Sequence, residues 1–176
     1  MEEKETKVVS TTTLYVDGAM NKTTGKVAWG SVVDENGVDQ VPHYRNLLGD
    51  MVLREEKLPK SVVRTIIVVE FGDVKTQQNN GAELVALVAG LRIAHANPYI
   101  AKIYTDSGLI RNYWSKGYIG KETKAKMDPK KLKYIEEVTK LRKEWKGELL
   151  RVEGDDNLAD LGFHVKKCKK KSHTSS

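Results

Sequence analysis

The sequence predicts a single mixed α/β domain in which a five-stranded sheet is flanked by helices. Strand-like segments dominate residues 12–71, whereas apolar residues at helical spacing dominate residues 80–145. Two further strand-like segments, 100–104 and 149–152, alternate with those helices, which predicts both antiparallel and parallel pairing. A chain of 176 residues suffices for one domain, and no repeat or linker divides it, so the domain is expected to span 1–165.

Three segments in the first part of the chain have the pattern of strands. Residues 12–16 alternate apolar and polar side chains and end at Asp17-Gly18, which indicates a strand that meets a turn. Residues 27–33 predict a second strand, and the Asp-Glu-Asn-Gly sequence at 34–37 a tight turn that a short further strand could follow. Residues 62–71 are rich in β-branched side chains and predict another strand. Residues 42–60 carry two prolines and are interpreted as an inserted loop.

A long helix is predicted to begin at Asn80. This residue is a good N-cap, and Glu83 three places on completes a capping box, after which leucine and valine recur at helical spacing up to Asn97. The remaining predicted elements are a buried strand at 100–104 that runs into Asp106, a helix that ends before Gly117, a helix capped by Asp128-Pro129, a strand at 149–152 and a final helix capped by Asp155 or Asp156.

The charge of the chain is compatible with a polyanionic partner. Lysine and arginine total 30 against 24 acidic residues, a formal net charge of +6. Lysines crowd residues 116–133 and again residues 166–171. The simpler interpretation of each run is a solvated face, and residues 166–176 are expected to form a basic, disordered tail.

The sequence has no feature of a membrane or secreted protein. No apolar run approaches the roughly 20 residues of a membrane span, and the first residues are charged rather than apolar. The single cysteine, Cys168, excludes an internal disulfide and is typical of a reducing compartment. We therefore expect an intracellular protein, cytoplasmic or nuclear, that is not secreted and has no membrane partner.

Four acids occupy junctions of the predicted elements: Asp17, Glu83, Asp106 and Asp160. If the strands at 12–16 and 100–104 are parallel neighbours, Asp17 and Asp106 meet at the carboxyl ends, where α/β sheets bind ligands. Carboxylates that close repel each other unless a cation lies between them, and oxygen ligands suit Mg²⁺ or Mn²⁺. Each acid alone has a simpler role, such as a turn residue, a helix cap or a solvated acid. All four acids together, in this order of elements, indicate a metal site.

The segments around these acids resemble the motifs of type 1 ribonucleases H. The four matching segments are Leu14-Tyr15-Val16-Asp17-Gly18-Ala19, Asn79-Asn80-Gly81-Ala82-Glu83-Leu84, Ile103-Tyr104-Thr105-Asp106-Ser107 and Asn157-Leu158-Ala159-Asp160-Leu161. They span most of the chain in the family's order, and the second and third together are specific. The resemblance implies the ribonuclease H-like fold.

The resemblance also implies an activity. It predicts an endonuclease that hydrolyses the RNA strand of RNA–DNA hybrids and leaves 5′-phosphate and 3′-hydroxyl ends. The four carboxylates would hold two Mg²⁺ ions, with Mn²⁺ as an alternative, roughly 3.5–4 Å apart around one phosphate oxygen. One ion would activate the attacking water and the other would stabilise the leaving 3′-oxygen. No organic cofactor is expected.

Nucleic-acid-binding residues follow from the same resemblance. The Asn79–Asn80 pair would reach the wide minor groove of an A-like hybrid, although Asn80 could instead only cap its helix. Gly18 and Ser107 belong to the same set. Lys121, Lys124 and Lys126 lie where some family members carry a basic protrusion that holds the DNA strand, through phosphate contacts that do not choose sequence.

Some positions depart from the family pattern. Gln78 stands where Thr is usual, Gly108 where a larger polar residue is common, and Asn157 three rather than four residues before Asp160. Residues 38–63 form a longer connection than the turn that usually joins the second and third strands of the family. These departures predict a divergent branch, viral or from a mobile element.

The loop at 154–156 lacks the family's histidine. His164, four residues after Asp160, is a candidate proton shuttle because one helical turn would separate the two side chains. The simpler alternative is an exposed residue on a fraying terminal helix.

Two other functions stay open at this point. One is a DNA-directed nuclease of the same fold, such as a junction resolvase or an exonuclease, which the asparagine pair argues against. The other is a non-catalytic nucleic-acid-binding module, which the four acids argue against because a binder gains nothing from acids that face phosphates. The sequence leaves open the oligomeric state and whether the chain is a free-standing enzyme or a piece of a polymerase polyprotein.

Overall fold

A six-stranded mixed sheet forms the centre of the molecule, with strand order β3-β4-β2-β1-β5-β6. The computed structural model describes residues 11–20, 27–72 and 80–162. β1 pairs in parallel with β5, and β5 with β6, whereas the other neighbours are antiparallel. The strands are β1 (Thr13–Met20), β2 (Val27–Asp34), β3 (Val52–Leu58), β4 (Val62–Glu70), β5 (Lys102–Thr105) and β6 (Glu148–Arg151).

Four α-helices and four short 3₁₀ helices complete the described chain. The α-helices are α1 (Asn80–Ala96), α2 (Gly108–Asn112), α3 (Lys121–Lys126) and α4 (Pro129–Glu144), and the 3₁₀ helices are Val41–Leu48, Pro59–Ser61, Trp114–Lys116 and Gly154–Asp156. Asp128 caps α4 as the sequence predicts, because its carboxylate accepts the N–H of Lys130 at 2.8 Å. The mixed α/β class and the parallel pairing of the first strand with the strand before Asp106 are confirmed.

The predicted number of strands is wrong, because residues 42–60 are not a loop. They contain the 3₁₀ helix Val41–Leu48 and the strand β3, which pairs with β4 from Val52↔Val68 to Leu58↔Val62. β3 is an edge strand, so it carries charged side chains that hide the strand pattern in the sequence. The turn at 34–37 is followed by a single bridge, Val33↔Asp39, rather than by a strand. The carboxylate of Asp34 accepts the N–H groups of Asn36 and Val38 there and closes the turn on itself.

α1 lies in the core and is apolar on nearly every side. The sheet packs against one side, and α4 and the 3₁₀ helix Val41–Leu48 pack against the others. Near the C-terminal end of α1, one side chain makes polar contacts that join α1 to α4 and to the 3₁₀ helix Val41–Leu48. The guanidinium of Arg92 binds the carboxylates of Asp50 and Glu137 and donates to the carbonyl of Leu47 at 3.0 Å. The helix that carries Glu83 is therefore firmly held.

β1 and α1 approach each other more closely than two side chains would allow. A Cβ atom at Gly18 would lie 2.2 Å from the carbonyl oxygen of Ala82, and one at Gly90 would lie 2.8 Å from Val16. Only glycine fits at these two positions. The first turn of α1 consequently rests directly on the backbone of β1, beside Asp17.

The predicted final helix is not present in the described residues. The 3₁₀ helix Gly154–Asp156 is followed by turns up to Gly162, whose φ is +84°. The side chain of Asn157 accepts the N–H of Ala159 at 3.0 Å and donates to β1, so side-chain contacts fix this segment instead of helical hydrogen bonds. The predicted tail, 166–176, lies outside the described residues.

Within the described ranges, none of the helices combines the length and the apolar character that crossing a bilayer requires.

Candidate metal centre

Three of the four predicted acids converge beside β1, just past the point where its parallel pairing with β5 ends. Asp17, Glu83 and Asp106 each offer a carboxylate oxygen, and these oxygens all lie within 4.8 Å of one another. Asp17 and Glu83 are buried and Asp106 is half-buried. The cluster brings together residues from a strand, a helix and the segment after a second strand.

The strand geometry explains why Asp17 and Asp106 meet. The parallel pairing of β1 with β5 ends at Tyr15↔Tyr104, whereas β1 continues alongside β2 to Met20. Asp17 therefore lies within its strand rather than at the strand end that the sequence predicts. Asn157 occupies the opening between the strands, where its amide donates to the carbonyl of Val16 at 2.9 Å and to Asp106 Oδ2 at 3.4 Å.

Glu83 reaches the cluster because of the close contact at Gly18. It lies in the first turn of α1, and its carboxylate accepts a hydrogen bond from the backbone N–H of Gly18. The capping-box role that the sequence suggests would direct this side chain elsewhere. Its position above Gly18 turns it toward Asp17 and Asp106 instead.

The segment that follows Asn157 donates a hydrogen bond to the carboxylate of Asp17. The backbone N–H of Leu161 donates to Asp17 Oδ2 at 3.0 Å. Asp160, the fourth predicted acid, is half-buried in the turn that leads to Leu161. It is not part of the group of three acids. Its Oδ1 accepts the N–H of Gly162 at 2.9 Å. The sequence predicts that Asp160 lies in a helix, and this prediction is wrong. Asp160 lies in a turn that these hydrogen bonds stabilise.

The electrostatics of the cluster favour a bound cation. Burial raises the pKa of Glu83 well above its usual value. The negative charges of Asp17 and Asp106 and a side-chain hydrogen bond with Asp106 raise this pKa further, whereas the hydrogen bond from the Gly18 N–H lowers it. Within the described chain, Glu83 Oε1 is buried and accepts no hydrogen bond. A buried oxygen without a donor beside two like charges is the environment that a divalent cation would relieve. An all-oxygen set of this kind fits Mg²⁺ or Mn²⁺.

The other predicted site residues have different positions. Gly18 is buried under α1, and Ser107 caps α2, since its Oγ accepts the N–H of Ile110 at 3.2 Å. Asn80 begins α1 and lines a neighbouring groove. Asn79 and His164 lie outside the described residues, so the structure says nothing about either. Their proposed binding and shuttle roles remain predictions.

A groove of about 880 Å³ runs from Asn80 toward α3. Exposed tyrosines, Tyr113 and Tyr118, line it together with Lys126. Lys121, Lys124 and Lys126 are all exposed on α3. Neither tyrosine is among the binding residues that the sequence predicts, although aromatic residues interleaved with lysines are themselves a signal for nucleic-acid binding.

Comparisons with known proteins identify a family. A family model described as RNase H matches residues 9–159. RNase H1 from the halophilic archaeon Halobacterium salinarum NRC-1 is 17% identical, over 84% of this chain and 89% of that chain, with a TM-score of 0.46. The N-terminal RNase H domain of a Mycobacterium tuberculosis protein, solved as a fusion with maltose-binding protein, is 18% identical over 92% and 99%, with a TM-score of 0.46. The foamy viral protease–reverse transcriptase, solved in complex with an RNA/DNA hybrid, is 14% identical over 95% of this chain and 21% of that chain, with a TM-score of 0.40. Among curated protein sequences, none matches this chain.

Removing the charge of Glu83 should stabilise the metal-free protein at neutral pH. Because its folded-state pKa is raised, the stability that its proton contributes is present below the ordinary pKa and is lost as pH rises through the folded pKa. Glu83→Gln should therefore increase the free energy of unfolding at pH 8 by on the order of 1 kcal/mol, because it removes a charge that burial and then the two neighbouring carboxylates disfavour. Urea unfolding in the presence of a chelator measures this difference.

The gain should shrink as the pH falls toward 4, where the wild-type side chain is also protonated. Glu122→Gln, at an exposed acid on α3, is the matched control and should change little at either pH. A Glu83→Gln protein that is less stable than wild type at pH 8 would show that the carboxylates are not in repulsion.

Proposed function

The chain belongs to the RNase H family, and on that premise we propose that it is a metal-dependent endonuclease that hydrolyses the RNA strand of RNA–DNA hybrids. The products would carry 5′-phosphate and 3′-hydroxyl ends. The observation that carries the proposal is the convergence of Asp17, Glu83 and Asp106, from three separate elements, on one oxygen cluster. These are the acids of three of the four segments that resemble the family's motifs.

The chain's own residues support a metal site in specific ways. Asp17, Glu83 and Asp106 would hold the divalent ions, with Asp160 as the fourth ligand. Two bound ions supply an activated water and stabilisation of the leaving 3′-oxygen. Leu161 N–H and Gly18 N–H orient the carboxylates of Asp17 and Glu83 through the hydrogen bonds described above. Asn157 holds Asp106 against β1. The ligands would therefore be preorganised rather than assembled on binding.

The surface beside the cluster is suited to a duplex. The groove that begins at Asn80 leads to the exposed lysines of α3, and its tyrosines offer flat faces for sugars or bases. Lysines there would bind phosphates and raise affinity without choosing sequence. We assign Asn80 and Asn79, with Gly18 and Ser107, to the minor-groove side and α3 to the DNA strand.

The assignment predicts a large loss of activity in Asp106→Asn. Cleavage of a labelled hybrid in Mg²⁺ should fall at least a hundredfold, on the order of 3 kcal/mol of barrier, because one carboxylate ligand is neutralised. Folding should be preserved, since the change relieves like-charge repulsion. Asp156→Asn removes a nearby exposed acid outside the cluster and should cleave at nearly the wild-type rate.

The same assay separates the alternatives when hybrid, double-stranded DNA and double-stranded RNA are compared with and without Mg²⁺. Preferential cleavage of double-stranded DNA would favour a resolvase or exonuclease of the same fold. Binding without cleavage of any duplex would favour a non-catalytic module. Near-normal cleavage by Asp106→Asn would contradict the metal assignment.

Phosphate contacts by α3 should be visible in the salt dependence of binding. Changing Lys121, Lys124 and Lys126 together to Gln should weaken hybrid affinity and reduce the slope of log affinity against log salt by about 2.7, if each lysine neutralises roughly one phosphate. A triple change of Lys140, Lys143 and Lys146 removes the same charge at the far end of α4 and should leave the slope nearly unchanged. Equal effects of both triple variants would mean that only net charge matters.

A further inference from the structure

An arginine lies behind the acidic cluster and joins two elements that support it. Arg64 is half-buried on β4, and its Nη1 donates to Ser31 Oγ at 3.0 Å and to the carbonyl of Ala159 at 2.9 Å. The carbonyl of Asp160 lies 3.4 Å from the same nitrogen. One guanidinium therefore links β4 with β2 and with the turn that follows Asn157.

Both of these elements contact Asp17. Ser31 is the cross-strand partner of Asp17 in the pairing of β1 with β2, and it is fully buried. The turn that contains Ala159 and Asp160 leads to Leu161, whose N–H donates to Asp17 Oδ2. Arg64 thus reaches Asp17 through its strand neighbour on one side and through its hydrogen-bond donor on the other.

The turn depends on side chains for its conformation. Its first half is fixed by Asn157, which accepts the N–H of Ala159. Its second half carries the two carbonyls that face Arg64, and Leu161 then packs with Leu58 and Ile66 in a small apolar cluster. Because the turn is not helical, the position of the Leu161 N–H is set by these tertiary contacts.

The charge of Arg64 is balanced by the acids around it. Burial lowers the pKa of its guanidinium, and the carboxylates that oppose this shift are those of Asp39, Asp160 and Asp17. Arginine remains protonated under such conditions, and its planar group can donate to several fixed acceptors at once. A glutamine at this position ends two bonds short of the arginine Nη1, so the carbonyls of the turn would lose that donor.

We propose that Arg64 is a positioning residue for the metal site. Arg64 holds the turn at residues 159–161, so that the N–H of Leu161 keeps the carboxylate of Asp17 oriented for a cation. The inference rests on the proposed function, because it assigns a role toward the same carboxylates. Arg64 acts through Ser31 and the turn and does not contact the substrate.

A positioning role and a purely electrostatic role of Arg64 predict opposite changes in metal affinity when the residue is replaced. A cation close to a metal site repels the metal, so a purely electrostatic role means that removing Arg64 strengthens metal binding. If Arg64 orients Asp17, its removal weakens binding, because the ligand must then be ordered at the moment of binding. The sign of the change therefore separates the two roles.

The test is calorimetric titration of the full chain with Mn²⁺, in the absence of nucleic acid. Arg64→Gln should bind Mn²⁺ at least tenfold more weakly than wild type, and Arg64→Lys, which keeps the charge and one donor group, should fall between them. Amide hydrogen exchange at Leu161 should become at least tenfold faster in Arg64→Gln. Arg54→Gln is the matched control, because Arg54 lies on the neighbouring strand β3, bound to Glu56 and stacked over Trp29, and should change neither quantity.

The outcomes distinguish this inference from the proposed function. Unchanged or tighter Mn²⁺ binding by Arg64→Gln, while Asp17→Asn loses it, would overturn the role of Arg64 and leave the metal site in place. Unchanged binding by both variants would overturn the metal site as well. Faster exchange throughout β2 and β4 with normal Mn²⁺ affinity would make Arg64 a stabilising residue only. If Arg64→Gln does not fold, the same comparisons are made with Arg64→Lys.

Discussion

The contact between β1 and the first turn of α1 is the constraint on which the site depends. Gly18 has no side chain, so the backbone of the helix rests on the backbone of the strand, one residue after Asp17. That contact places the Glu83 carboxylate within reach of the Gly18 N–H and of two other acids. Any larger residue at position 18 would collide with the carbonyl of Ala82 and displace the first turn of α1, which carries Glu83.

Gathering these acids costs stability in the metal-free protein, and the surrounding structure compensates for that cost. Like charges and burial both oppose ionisation of Glu83, as the direction of its pKa shift records. The elements that hold the acids are correspondingly well anchored: α1 is buried on nearly all sides, and Arg92 joins its far end to Asp50 and Glu137. A cluster of buried acids with a raised pKa, held by well-packed elements, is typical of a protein that uses the site for binding or chemistry.

Local patterns in the sequence predict most of the elements, and three of the four acids that they mark lie together in one cluster. Residues such as Asp106 follow strongly β-forming segments, and Asp128-Pro129 is a clear helix start, so short-range chemistry was sufficient there. β3 was missed because an edge strand with charged side chains has no apolar alternation. The sequence around Asp160 has the pattern of a helix, but the turn found there depends on Asn157 and on distant β4. Arg64 has no local signal in the sequence either, because its contact with Ala159 joins residues 95 positions apart.

The most direct test of the account is an X-ray structure of the protein soaked with Mn²⁺, with anomalous scattering used to locate the ion. We expect an anomalous peak from an ion that is bound by carboxylate oxygens of Asp17, Glu83 and Asp106, at the roughly 2 to 2.3 Å distances typical of small divalent ions. Ordered carboxylates with no peak between them, at Mn²⁺ concentrations that saturate the protein in solution, would contradict it. A peak held by other residues would do the same.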